Sequence, residues 1–175
     1  MKIRNLIRIA SLTTLLLAFV AGPSAQEAAP DKVKLSAGFT NTEYSFESLF
    51  STEYEQGLTA ELDARIFKKS GIRLGGVFQY NRNAVGADLP IDTYSFGPQL
   101  SVDLFKGVVS PFGRALFGFQ TTYNSDRVFT RAYGVGVDVN LGHVFIRPVV
   151  VDWIRTEGFG SPATQRFGAG VGVRF

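Results

Sequence analysis

The sequence predicts an all-β fold, an eight-stranded antiparallel up-and-down transmembrane β-barrel, preceded by a cleavable signal peptide. Three observations carry that expectation. The apolar residues recur with a period of two, the spacing of strands and not of helices. The longest purely apolar run is Leu15 to Ala21, far short of the roughly 20 residues a membrane helix requires. Yet the composition is membrane-like: 45% hydrophobic and only 19% charged, with 16 Phe and 19 Gly.

The chain opens with a targeting pattern. Lys2, Arg4 and Arg8 form a basic segment, Leu12 to Ala21 an apolar one, and Gly22-Pro23-Ser24-Ala25 supplies small residues before a cut after Ala25. Residues 1–25 are therefore expected to be a signal peptide, 26–31 a short polar leader and 32–175 the barrel. Export also settles the charge. The chain has 18 Lys+Arg against 15 Asp+Glu, and taking away Lys2, Arg4 and Arg8 leaves 15 of each. The basic pI belongs to the signal, so it is no argument for nucleic-acid binding.

Eight runs follow, at about 32–46, 57–68, 72–82, 93–106, 109–123, 128–141, 143–156 and 164–175. In the second, Leu58, Ala60, Leu62, Ala64 and Ile66 share one face, and Thr59, Glu61, Asp63 and Arg65 the other. In the fourth, Tyr94, Phe96, Leu100, Val102 and Leu104 oppose Ser95, Gly97, Gln99, Ser101 and Asp103. In the sixth, Tyr133, Val135, Val137, Val139 and Leu141 oppose Gly134, Gly136, Asp138 and Asn140. Tight turns at 68–71, 106–107 and 141–143 alternate with longer polar connections at 47–56, 83–91, 124–127 and 157–163. Even strand number with short turns at one end and longer loops at the other is the pattern of an outer-membrane barrel.

Alternation alone does not say which face is inside, since a soluble ligand-binding barrel points its apolar residues inward. Size decides. The apolar face carries the large side chains, and a small lumen has room only for the small and charged set, so the large face is expected to meet lipid. Aromatics near the loop ends (Tyr80, Tyr94, Phe119, Tyr123, Phe129, Tyr133, Trp153) and near the turn ends (Phe67, Phe105, Phe145, Phe175) read as two interfacial girdles.

The same parity assigns Glu61, Asp63, Asp103, Asp138 and Asp152, with Arg65, Arg73, Arg114, Arg166 and Arg174, to the lumen. Arg147 differs in parity from Asp152, so strict alternation leaves it out. Unpaired buried charge is costly, which predicts an ion-pair plug; a rearranging network would instead give a narrow porin-like path for small solutes or ions. Nucleophilic catalysis has little to work with: there is no Cys, and the one His, His143, falls in a tight turn. No metal-ligand cluster and no cofactor motif appears, so the chain is expected to be no enzyme. Glu43, Glu47, Glu53 and Glu55, among Tyr44, Phe46, Phe50 and Tyr54, make the first long connection acidic and aromatic. It is the expected contact for an extracellular ligand or a cation bridge to lipopolysaccharide.

The ending FGAGVGVRF puts Phe167, Ala169, Val171, Val173 and Phe175 on the outer face. Gly170, Val173 and Phe175 resemble the C-terminal assembly signal of bacterial outer-membrane proteins, although its usual opening polar residue is Gly168 here. With VSPFGRALFGF, YGVGVDVNLG and VFIRPVVVDWIRT, the chain from Lys32 to Phe175 resembles the small bacterial outer-membrane β-barrel superfamily, which includes OmpA-barrel-like and opacity-type porin families. The resemblance implies a bacterial outer-membrane location, contact with outer-membrane lipid and lipopolysaccharide, and insertion by the barrel-assembly machinery through the last strand. It implies a structural or surface-interaction, adhesion-like role and names no ligand.

Overall fold

A computed structural model describes residues 32–46, 51–85, 89–121, 127–157 and 163–175. The expected signal peptide and leader, residues 1–31, lie outside them. Eight strands follow one another: β1 (Val33–Phe46), β2 (Ser51–Lys69), β3 (Ile72–Val85), β4 (Leu89–Val102), β5 (Val109–Thr121), β6 (Arg127–Leu141), β7 (Val144–Thr156) and β8 (Ala163–Arg174). Each pairs antiparallel with its neighbours in chain order, and β8 returns to β1, closing the barrel. Closure satisfies every ladder without an edge, which is the condition for strands to cross lipid. No helix among the described residues is long and apolar enough to cross a membrane.

The tight turns follow from their residues. Lys69 pairs with Ile72, and Ser70 and Gly71 between them both take left-handed backbone (φ 50° and 80°), the conformation of a two-residue hairpin whose twist suits the strands. Gly142 (φ 67°) does the same work ahead of His143. The expected fourth run overshoots. The chain leaves β4 at Val102 and turns through a 3-10 segment, Phe105–Gly107, before Leu104 bridges Val109. The expected second run falls short: β2 starts at Ser51, so β1 and β2 form a long hairpin in which Glu43 opposes Tyr54. Most of the acidic, aromatic connection is therefore strand. Glu47 to Phe50 lie outside the described residues.

The outer wall carries Leu35, Phe39, Leu58, Leu62, Phe78, Phe96, Leu100, Phe117, Val135 and Val171, all accessible to lipid. The inside is mostly polar, from Thr40 and Gln79 to Ser110 and Asp138. Two expectations about the faces are corrected. Phe145 belongs to no girdle: it is 0% exposed, inside the barrel, and Phe112 and Leu116 are buried with it. The inward glycines make that room. A Cβ on Gly136 would lie 2.5 Å from the Phe112 ring, and one on Gly172 2.5 Å from Phe145.

The second correction has a local cause. Across β6, Val137 pairs with Val149 and Val139 with Ile146; across β8, Arg147 pairs with Gly170 and Val150 with Gly168. Against both neighbours β7 carries one extra residue, a bulge around Pro148, which has no N–H to give to a ladder. The bulge resets the alternation, so Phe145 and Arg147 join Val150 and Asp152 on the inside.

Candidate functional site

The closed wall holds a chain of alternating charges at the middle of its lumen. Lys34 Nζ lies 3.0 Å from Asp138 Oδ2, and Arg147 Nε donates to Asp138 Oδ1 at 2.8 Å. Arg147 also donates to Glu61. Arg114 Nη1 donates to the other Glu61 oxygen at 2.8 Å, while its Nε and Nη2 grip Asp152 at 2.9 and 2.8 Å. Arg166 donates to Asp152 at 2.8 Å and to Gln79 Oε1 at 2.7 Å, and Gln79 Nε2 returns to Glu61 at 2.7 Å. Glu61, Arg114, Asp152, Arg166 and Gln79 thus close a ring, with Arg147, Asp138 and Lys34 as its extension. Every strand except β4 supplies a member. Gln99 of β4 holds Asp63, just below, at 2.8 Å.

Local structure makes these contacts possible. Gly134 faces Asp152 across the β6–β7 ladder, and a Cβ there would stand 2.0 Å from Asp152 Oδ1. The glycine leaves space for the two-pronged Arg114–Asp152 contact, the geometry a guanidinium and a carboxylate prefer. Beneath it the Arg147 guanidinium stacks 4.5 Å over the Phe112 ring, and Lys34 Nζ lies 4.9 Å from the Phe145 ring. These rings replace water around the cations with a polarisable face. Above it, Val77, Leu116 and Ala132 pack as an apolar layer, with Ile154 against them.

Of the residues assigned to the lumen, Glu61, Arg114, Asp138, Asp152 and Arg166 enter the ring and its extension. Arg73 and Asp103 pair at 2.9 Å nearer the turns, where Lys68 and Ser110 also reach Asp103. Arg65 and Asp63 line a cavity at that mouth with Lys32 and Lys34. Arg174 Nε donates to the Gly142 carbonyl at 2.7 Å and braces the β6–β7 turn. Lys34 and Gln79, overlooked in the sequence, were readable from parity alone. Arg147 was not, because only Pro148 hints at the bulge.

Gly170 pairs with Gly38 at the β8–β1 seam, where a Cβ would stand 2.6 Å from the Ala37 carbonyl oxygen. Val173 and Phe175 face outward. Phe175 also staples the seam. Its oxygen accepts from Lys32 N at 2.7 Å, and its N–H donates to Val33 O at 2.9 Å. His143 is exposed in the β6–β7 turn, at this same end. Among the described residues no group of three or more His, Cys, Asp or Glu is placed to hold a metal.

A family model described as outer membrane protein beta-barrel domain matches residues 12–175. The chain belongs to that family. It is a bacterial outer-membrane protein. Among solved structures it is similar to Ail, the attachment invasion locus protein of Yersinia pestis: TM-score 0.60 at 16% identity, over 84% of this chain and 100% of Ail. It is similar to Neisserial surface protein A at TM-score 0.58 and 13% identity, over 82% and 97%. The outer membrane enzyme PagL matches at TM-score 0.53 and 14% identity, over 81% and 99%. At these identities the likeness is one of fold. No curated protein matches the sequence.

Proposed function

We propose that this barrel is a non-catalytic surface-interaction protein whose lumen is closed by the charged ring. The observation that carries this reading is the ring with its extension: side chains from seven strands meet in the lumen with Arg114 and Asp152 buried, so a solute would have to break several charge-assisted bonds to pass. Function then falls to the ends of the barrel. The long β1–β2 hairpin carries Glu43 and the exposed Tyr54 toward its loop end and supports an adhesion-like contact, while Glu55 is buried on the inner face. Ail has been crystallised with the heparin analogue sucrose octasulfate. The acidic hairpin here favours a basic or cation-bridged partner over a sulfated one. The last strand, through Gly170, Val173 and Phe175, supports recognition by the barrel-assembly machinery.

Planar-bilayer recording and a heparin column test this together. The refolded protein is expected to give no stable openings and no heparin retention at physiological salt. Stable openings would replace the plug with a narrow porin-like channel; retention on heparin would reverse the sign of the proposed ligand.

A further inference from the structure

Arg131 of β6 and Arg155 of β7 are direct cross-strand partners. Both are exposed and share the outward parity of Tyr133 and Trp153, which oppose each other one pair nearer the middle of the wall. On its other side Arg131 faces Phe117 of β5, and the next outward pair, Phe119 and Phe129, meets ring edge to ring face at 5.9 Å. Arg127, also exposed, begins β6.

Two like charges placed directly opposite on a sheet face destabilise it. The neighbouring acid does little to relieve them: Glu157 Oε1 is 3.9 Å from Arg131 Nη2, with both side chains about half-exposed. Asp126 lies outside the described residues. The comparable outward cation on β3, Arg82, has the acid Asp92 as its direct cross-strand partner, where Arg131 has Arg155. The β6–β7 pair is therefore a cationic site set in aromatic surroundings. Its height is informative. Tyr133 and Trp153 sit in the loop-side girdle, at the edge of the hydrocarbon. The arginines are two residues further out, roughly 6–7 Å along the strand, at the depth of lipid headgroups.

We propose that Arg131 and Arg155, with Arg127 at the rim, clamp a phosphate of an anionic lipid in the leaflet facing the loops. The guanidinium fork matches a phosphate in two-point geometry, and the aromatics beside it pack against the acyl or sugar part of the same molecule. In a bacterial outer membrane that leaflet offers the phosphorylated glucosamines of lipid A. The site needs only a membrane-inserted barrel and stands whether or not the hairpin binds an extracellular partner.

The test uses the full barrel refolded in non-ionic micelles, with thermal unfolding followed in four conditions: no addition, inorganic phosphate, bisphosphorylated lipid A and dephosphorylated lipid A. Only bisphosphorylated lipid A is expected to raise the wild-type midpoint. The Arg131→Gln/Arg155→Gln variant is expected to need about tenfold more of it for the same rise, the loss that follows from removing charge-assisted bonds. In lipid-free micelles that variant should be at least as stable as the wild type, because it removes a repulsion. Arg131→Lys/Arg155→Lys keeps the charge without the fork and should fall between, and it gives the same reading if the Gln pair refolds poorly. An unchanged lipid A response in either variant overturns the clamp. So does an equal loss of stability without lipid, which makes the arginines structural, or a rise with inorganic phosphate alone, which makes the site a general anion site.

Discussion

The middle of the lumen and its turn-side mouth are built from the same kinds of side chain. In both, a carboxylate sits between two cations: Glu61 between Arg114 and Arg147 in the middle, Asp103 between Arg73 and Lys68 at the mouth. What differs is the solvent. The Arg114 side chain is 0% exposed and that of Lys68 is 48% exposed. At the mouth water and salt share the work of solvating Lys68, while Arg73 and Asp103 stay mostly covered. In the middle each charge has only its protein partners, so every member depends on the rest. The same chemistry can thus act as a permanent closure in one place and as an adjustable rim in the other.

Glu61→Leu is the sharpest way to break that contrast. The change leaves Arg114 and Arg147 without the carboxylate they share and Gln79 without its acceptor. The expected loss is roughly 3–5 kcal/mol, the range for removing one partner from a buried pair. Urea unfolding of barrel refolded in vesicles measures it. A loss below about 1 kcal/mol would mean that the middle is as wet as the mouth and the plug is no plug.

Phe175→Ser acts at the mouth but from outside. The backbone bonds to Lys32 and Val33 remain, and the ring, 67% exposed to lipid, is lost. Full burial of such a ring is worth roughly 1.5–3 kcal/mol, so partial contact sets a smaller cost, about 1 kcal/mol. Insertion in cells should suffer far more than that if the assembly machinery reads this end. The heat-modifiable band shift in outer membranes, set beside urea unfolding in detergent, separates the two. Parallel changes in both assays would make Phe175 an ordinary strand residue.

The fold was legible because a wall between lipid and a narrow lumen repeats its demand every second residue. The family match, the closed eight-strand order and strand limits mostly within a few residues agree with that reading. What period two hides is any break in period two. Pro148 was visible, but nothing in the sequence said whether it ended a strand, sat at an edge or bulged. Phe145 and Arg147 were therefore placed on the wrong side. The size rule also has an exception at Phe112, because a large ring fits inward when the strand beside it offers Gly136, a pairing that depends on register. Which Arg meets which acid depends on contacts across the lumen, such as Arg147 of β7 with Glu61 of β2, and no local pattern encodes them.

Lys68→Ala should have the smallest effect and so completes the contrast with Glu61. Lys68 Nζ lies 3.2 Å from Asp103 Oδ2, but Asp103 keeps Arg73 and the Ser110 hydroxyl when the lysine goes. An exposed pair of this kind contributes about 0–1 kcal/mol, and salt weakens it further. Urea unfolding at low salt should therefore show a loss within that range, and at about 1 M salt, where the screening length is about 3 Å, the difference from wild type should vanish. Glu61→Leu measured side by side should keep most of its loss in high salt, because ions do not reach a buried ring. A Lys68→Ala loss above about 2 kcal/mol that persists in salt would show that the mouth is sealed like the middle, and the distinction between the two regions would fall.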